Sequence, residues 1–169
     1  MQYKFGTPFK EDRKLSNGSG KVEFITIHNI DRIKVNANTS MAEYYIGSTW
    51  PNANMGGFRV HYYIDETECW QQLQEDEVGC HIEKINQIGN ETSIAIAIIM
   101  DEYKNIENST AEKRGALLSA ILLHKHNLPI ERLVPHKKWN NDKYCPSYIL
   151  PHWDEFIKTV NYYLDQVSK

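Results

Sequence analysis

The stretch SIAIAIIM, Ser93 to Met100, sets seven apolar residues in a row behind its serine. A strand wetted on one face alternates apolar with polar residues, so an unbroken isoleucine-rich run predicts a strand covered on both faces. Such a strand needs helices above and below it. The fold class expected is therefore α/β, with a mixed central β-sheet flanked by helices.

The rest of the chain supplies matching parts. VEFITIHN gathers β-branched and aromatic residues ahead of His28, which predicts a second strand with His28 near its C-terminal end. KLSNGSGK reads as a turn, Met41–Thr49 as a short helix and WPNANMGG as a loop. Further strands are expected near Arg59–Asp65 and in CWQQLQ. Ser109 and Glu112 have capping-box spacing for a helix whose apolar face is Leu117, Leu118, Ile121 and Leu122, ending before Pro129. Pro151 suits the first turn of a last helix, which packs through Trp153, Phe156, Ile157, Val160 and Leu164. No repeat or linker divides the sequence, and 169 residues suffice for one core, so a single domain over 1–169 is expected.

Charge and hydropathy exclude some partners. With 19 basic and 22 acidic residues the net charge is -3, and no basic block offers a phosphate-binding stripe, so no nucleic acid is expected. The apolar runs at Ile94–Met100 and Leu117–Leu123 are too short to span a bilayer, so membrane insertion is not expected either. MQYKFGTPFKEDRK lacks the apolar core of a signal peptide, which predicts release by another route or by lysis. Cys69, Cys80 and Cys145 are odd in number and widely spaced, a poor basis for a disulfide framework, with room for one pair at most.

RLVPHKKWNNDKYCPSYIL holds the chemistry-bearing residues. Zinc favours imidazole nitrogen and thiolate sulfur, and a catalytic zinc keeps three protein ligands and one open position. His28, His136 and Cys145 form the candidate set, with Pro135 and Pro146 restricting the backbone beside two of them. A thiolate ligand also calls for a reduced site. The blander reading keeps His28 as a strand-end polar residue, His136 as a turn residue and Cys145 as small core. His124 and His126 suit a helix C-terminus and His152 a first turn, whereas His61 and His81 could face the active end of the sheet.

From Val22 to Trp153 the sequence resembles the zinc-dependent N-acetylmuramoyl-L-alanine amidases, a family that includes phage endolysins, bacterial autolysins and relatives of peptidoglycan-recognition proteins, which implies an amidase/peptidoglycan-recognition-like fold. FITIHN resembles the first ligand strand, RVHYYIDETECWQQLQEDEVGCHI the central strand and hairpin, NETSIAIAI the next strand and PHKKWNNDKYCPSYIL the second ligand loop. The resemblance implies Zn2+ held by His28, His136 and Cys145, with Lys143 stabilising charge on the reacting oxygen. It implies bacterial peptidoglycan as substrate, cut at the amide between N-acetylmuramic acid and L-alanine, with no obligatory protein partner. Trp50, His61, His81 and Asn90 become candidate groove residues.

One position departs from the family pattern. Where many members carry a glutamate that takes the water proton, this chain has Ala97. Some phage relatives use a tyrosine instead. Val60 aligns with it, leaving Tyr62 and Tyr63 as neighbouring candidates. The alternatives are an amidase with another base, a weak or inactive peptidoglycan-binding module, an inactivated version of a protein whose original residue was glutamate, or a structural metal domain unrelated to cell wall.

Overall fold

The computed structural model describes residues 3–5, 13–33, 39–49, 58–82 and 87–169. Among the described residues, six strands form one mixed sheet: β1 (Tyr3–Phe5), β2 (Phe24–Asp31), β3 (Tyr62–Ile64), β4 (Cys69–Gln71), β5 (Ser93–Met100) and β6 (Leu133–Pro135). Their order is β1-β4-β3-β5-β2-β6, and only the β3–β4 pair is antiparallel. The helices are a single turn α1 (Leu15–Gly18), then α2 (Met41–Thr49), α3 (Gln87–Thr92), α4 (Ile106–Lys125) and α5 (Trp153–Val167). The mixed sheet flanked by helices is the architecture expected from the SIAIAIIM run.

All eight residues of β5 are buried, because neighbouring strands cover both edges and helical layers both faces. On one face Ile94, Ile96, Ile98 and Met100 pack with Leu118, Leu122, Phe156 and Val160 of α4 and α5. On the other, Ala95, Ala97 and Ile99 pack with Met41, Ala42, Tyr45 and Ile46 of α2. Each fully buried isoleucine stabilises the fold by roughly 1.5–3 kcal/mol. The small residues on the α2 face leave room there, and that face also carries His28, which pairs in register with Ala97.

Several boundaries differ from those read in the sequence. β2 continues to Asp31, so His28 lies in the C-terminal half of a strand that runs on past it. The α4 cap is Asn105, whose side chain accepts from the Asn108 N–H, and Ser109 lies within the helix. An Asn-x-x-Asn pair thus acts four residues ahead of the Ser-x-x-Glu pair. The buried side of α4 runs through Ala111, Gly115, Leu118 and Leu122, with Leu117 and Ile121 only half-buried. Pro151 lies in a 3-10 turn, Leu150–His152, and α5 begins at Trp153. In KLSNGSGK, Ser16, Asn17, Gly18 and Gly20 have positive φ, so the turn winds left-handed. The three cysteines are free thiols. No helix among the described residues is long and apolar enough to cross a membrane.

Candidate metal centre

Strand pairing brings the distant segments together. β6 runs parallel to β2 with Ile27 beside Pro135, so the next residues, His28 and His136, meet where β6 ends. After His136 the chain makes a 3-10 turn, His136–Lys138, and returns: the Lys137 N–H donates to the Cys145 carbonyl at 3.0 Å. Asn29 anchors the far side of this loop, its Oδ1 accepting from the Tyr148 N–H at 2.9 Å. The nine-residue separation of His136 and Cys145 is thus the length of a closed loop.

The donor atoms of His28, His136 and Cys145 all lie within 4.8 Å of one another. His28 Nδ1 is 3.9 Å from Cys145 Sγ, and the His28 and His136 rings are 4.6 Å apart between centroids. Two borderline nitrogens and one sulfur, converging from two segments, match the donors and number of a three-ligand zinc site. Burial pushes the His28 imidazole well below its usual pKa, aided by His81 and His136, so it is neutral and able to offer a lone pair. Burial pushes the Cys145 thiol up to about 11, against opposing pulls from the Asn29 backbone N–H and the Lys143 charge. Binding a metal must therefore displace the Cys145 proton.

The other candidate residues take definite places. Lys143 is half-buried two residues before Cys145, its N–H held by the Asn140 carbonyl at 3.0 Å. Ala97 is fully buried and lies between His28 on β2 and Tyr63 on β3, all three in one register row. Tyr63 therefore shares the His28 face. Tyr62 does not: it packs in the α4–α5 core and its hydroxyl donates to Glu75 at 2.8 Å. Trp50 lies outside the described residues.

The remaining polar candidates hold the frame. His61 is fully buried, with Nε2 donating to the Glu77 carbonyl at 2.9 Å and Nδ1 accepting from the Ala95 N–H at 3.0 Å. Both nitrogens are committed to backbone, which leaves none for a substrate. Asn90 clamps the turn carrying His81: Oδ1 accepts from the N–H groups of His81 and Ile82, each at 2.8 Å, and Nδ2 donates to the Ile82 carbonyl. His81 is 2% exposed and sits behind His28, Nδ1 to Nε2 at 3.0 Å. Gly79 permits this packing, since a Cβ there would meet His81 Cδ2 at 2.8 Å.

Sequence reading missed Thr26, Ser93 and Trp139, which join this arrangement through hydrogen bonds. The period of two along β2 puts Thr26 on the His28 face and could have marked it. Nothing comparable marks Trp139, which reaches Thr26 from 113 residues away. A separate cleft of about 510 Å³, lined by Tyr103, Glu112, Tyr148 and His152 among others, includes none of the three donors.

Comparison with known proteins agrees with this geometry. The sequence is 30% identical over 139 residues to N-acetylmuramoyl-L-alanine amidase CwlH of Bacillus subtilis (strain 168), covering 82% of this chain and 52% of CwlH. It is 31% identical over 133 residues to N-acetylmuramoyl-L-alanine amidase XlyA of the same organism, covering 79% of this chain and 42% of XlyA. The chain thus spans about half the length of these relatives. Its fold matches the solution structure of the PlyG catalytic domain with a TM-score of 0.79 at 22% identity, over 97% of this chain and 96% of that one. The family model described as N-acetylmuramoyl-L-alanine amidase matches residues 18–148, a span that takes in the converging histidines and cysteine. By that match the chain belongs to the N-acetylmuramoyl-L-alanine amidase family.

Proposed function

We propose that this chain is the catalytic domain of an endolysin or autolysin that acts at the bacterial cell wall. It hydrolyses the amide between N-acetylmuramic acid and L-alanine in peptidoglycan. The observation that carries this reading is the convergence of His28, His136 and Cys145 donors within 4.8 Å in a member of the amidase family. A bound zinc ion supplies a Lewis acid for the scissile carbonyl and lowers the pKa of a coordinated water.

The protein's own groups do the rest. His28, His136 and Cys145 would hold the metal. Lys143 places a positive charge beside Cys145, where it offsets negative charge developing on the carbonyl oxygen. Proton transfer is the unusual step. The strand position beside His28 carries Ala97, which can neither take nor give a proton, and the nearest hydroxyl in its register row belongs to Tyr63. A lost general base typically costs roughly 10²–10⁴ in rate. Slow turnover with intact wall binding is therefore the second reading, and Ala97 favours it.

Ala97→Glu tests both. Purified peptidoglycan is incubated with zinc-loaded protein, and new L-alanine N-termini are quantified alongside zinc content. A gain of roughly 10²-fold or more at unchanged zinc content supports a missing base. Equal turnover without the glutamate means that another group carries the proton. New termini only between stem-peptide residues would refute the bond assignment, and binding without any cleavage by either protein would leave a recognition module.

A further inference from the structure

The buried polar groups behind His28 form a chain whose hydrogen-bond directions are fixed at both ends. The Trp139 indole N–H can only donate, and it donates to Thr26 Oγ1 at 2.9 Å. The Gly89 carbonyl can only accept, and it accepts from Ser93 Oγ at 2.6 Å. Thr26 therefore spends its proton on Ser93 Oγ, at 2.9 Å. Ser93, its own proton committed to Gly89, meets the His81 ring only as an acceptor. The His81 Nε2 contact to Ser93 Oγ, the longest link at 3.5 Å, thus places the His81 proton on Nε2.

That assignment propagates. With its proton on Nε2, neutral His81 presents a lone pair at Nδ1, which faces His28 Nε2 at 3.0 Å. His28 must then carry its own proton on Nε2 and keep Nδ1 bare. Nδ1 is the atom turned toward Cys145 Sγ. The opposite tautomer would put a hydrogen where a metal has to bind.

We infer that His81 is a positioning residue: supported by Ser93, Thr26 and Trp139, it holds His28 in the Nε2–H tautomer that aims a lone pair at the metal. The inference rests on the zinc reading of His28, His136 and Cys145. Its reach is set by burial. Thr26 and Ser93 are fully buried and His28 and His81 are each 2% exposed, so water does not compete for these bonds. Partners behind a metal-bound histidine commonly influence metal affinity by about 10- to 100-fold. His81 does so here through a second imidazole in place of the more usual carboxylate or carbonyl.

Asparagine and leucine separate this role from simple packing. Asn Oδ1 falls near the place of His Nδ1 and can accept from His28; leucine has the same branching and cannot. His28 tautomer is read from ¹⁵N ring shifts in metal-free protein, and zinc affinity from competition with a chromophoric chelator. The expected result is an Nε2–H tautomer in the unsubstituted chain. His81→Leu should lose that tautomer preference and bind zinc about 10- to 100-fold more weakly, while His81→Asn recovers most of both. Ser93→Ala, which frees His81 to turn its tautomer around, should weaken zinc in the same direction. An Nδ1–H tautomer in the metal-free unsubstituted chain overturns the inference without any variant. Unchanged zinc affinity in a folded His81→Leu protein overturns it while leaving the metal site standing. Failure of the unsubstituted chain to bind zinc overturns the metal reading itself, a result distinct from both.

Discussion

His61 makes stability depend on pH in a way that can be worked out in advance. Burial pushes its imidazole from the usual 6.5 down to about 4, against an opposing pull from the Glu77 carbonyl. Its Nδ1 must stay unprotonated to accept from the Ala95 N–H, so charging it would break a bond to the central strand. A group whose folded pKa is depressed contributes stability that is fully present above its unfolded pKa and is lost as pH falls through the folded value. The window here is 6.5 down to about 4. At about 1.36 kcal/mol per pH unit the loss across it is roughly 3 kcal/mol. The assay is guanidinium unfolding with EDTA present, from pH 7.5 to pH 4, on the unsubstituted chain and His61→Gln. Glutamine cannot span both backbone partners, so the variant should be about 1–3 kcal/mol less stable at pH 7. The gap between the two curves should close as pH falls toward 4, because only the unsubstituted chain carries the His61 contribution that is lost there. Curves that stay parallel across the window would refute the reasoning.

Three other perturbations test separate parts of the fold. Gly115 lets α4 approach the sheet, and a Cβ there would collide with Ile98 Cδ1 and meet Ile98 Cγ1 at 2.8 Å. Alanine gains up to about 1 kcal/mol of helix propensity, yet overpacking costs about 1–3 kcal/mol; Gly115→Ala should therefore lower Tm, and a rise would show the approach is not tight. Glu75 is held down to about 2 despite burial, through hydrogen bonds from His126, Lys125 and Tyr62. Its contribution should be complete above pH 4.5 and fade toward pH 2, so the denaturation gap between the unsubstituted chain and Glu75→Gln should narrow below 4.5. Asn90→Ala removes three bonds to the turn carrying His81. It should cost about 1–3 kcal/mol and speed amide exchange at Ile82; unchanged exchange would deny the clamp.

What the sequence disclosed follows from how local each signal is. SIAIAIIM announced a central strand because burial on both faces leaves its mark in the letters themselves. FITIHN announced its neighbour, yet not that the strand continues past His28 through Asn29 and Asp31, where polar side chains turn to Tyr148 and the returning loop. The start of α4 was misplaced because Asn105, Asn108, Ser109 and Glu112 offer two overlapping capping patterns, and only backbone conformation chooses between them. His61, His81 and Asn90 could all be read as groove residues, since a histidine or asparagine does not show in sequence which atoms it has already committed. Their partners lie on other strands and turns. Residue type and the flanking prolines mark His28, His136 and Cys145 as candidates and the family resemblance strengthens the set, while the parallel register of β2 and β6 that makes His28 and His136 neighbours is a property of the folded sheet.

Anomalous diffraction at the zinc edge from crystals of the zinc-loaded protein addresses the metal site directly. The account predicts one ion per chain, bound by His28 Nδ1, a His136 ring nitrogen and Cys145 Sγ at about 2.0–2.1 Å for nitrogen and about 2.3 Å for sulfur, with a fourth position open to solvent. A zinc peak held by other residues, or one at this place closed off by a fourth protein ligand, would contradict it.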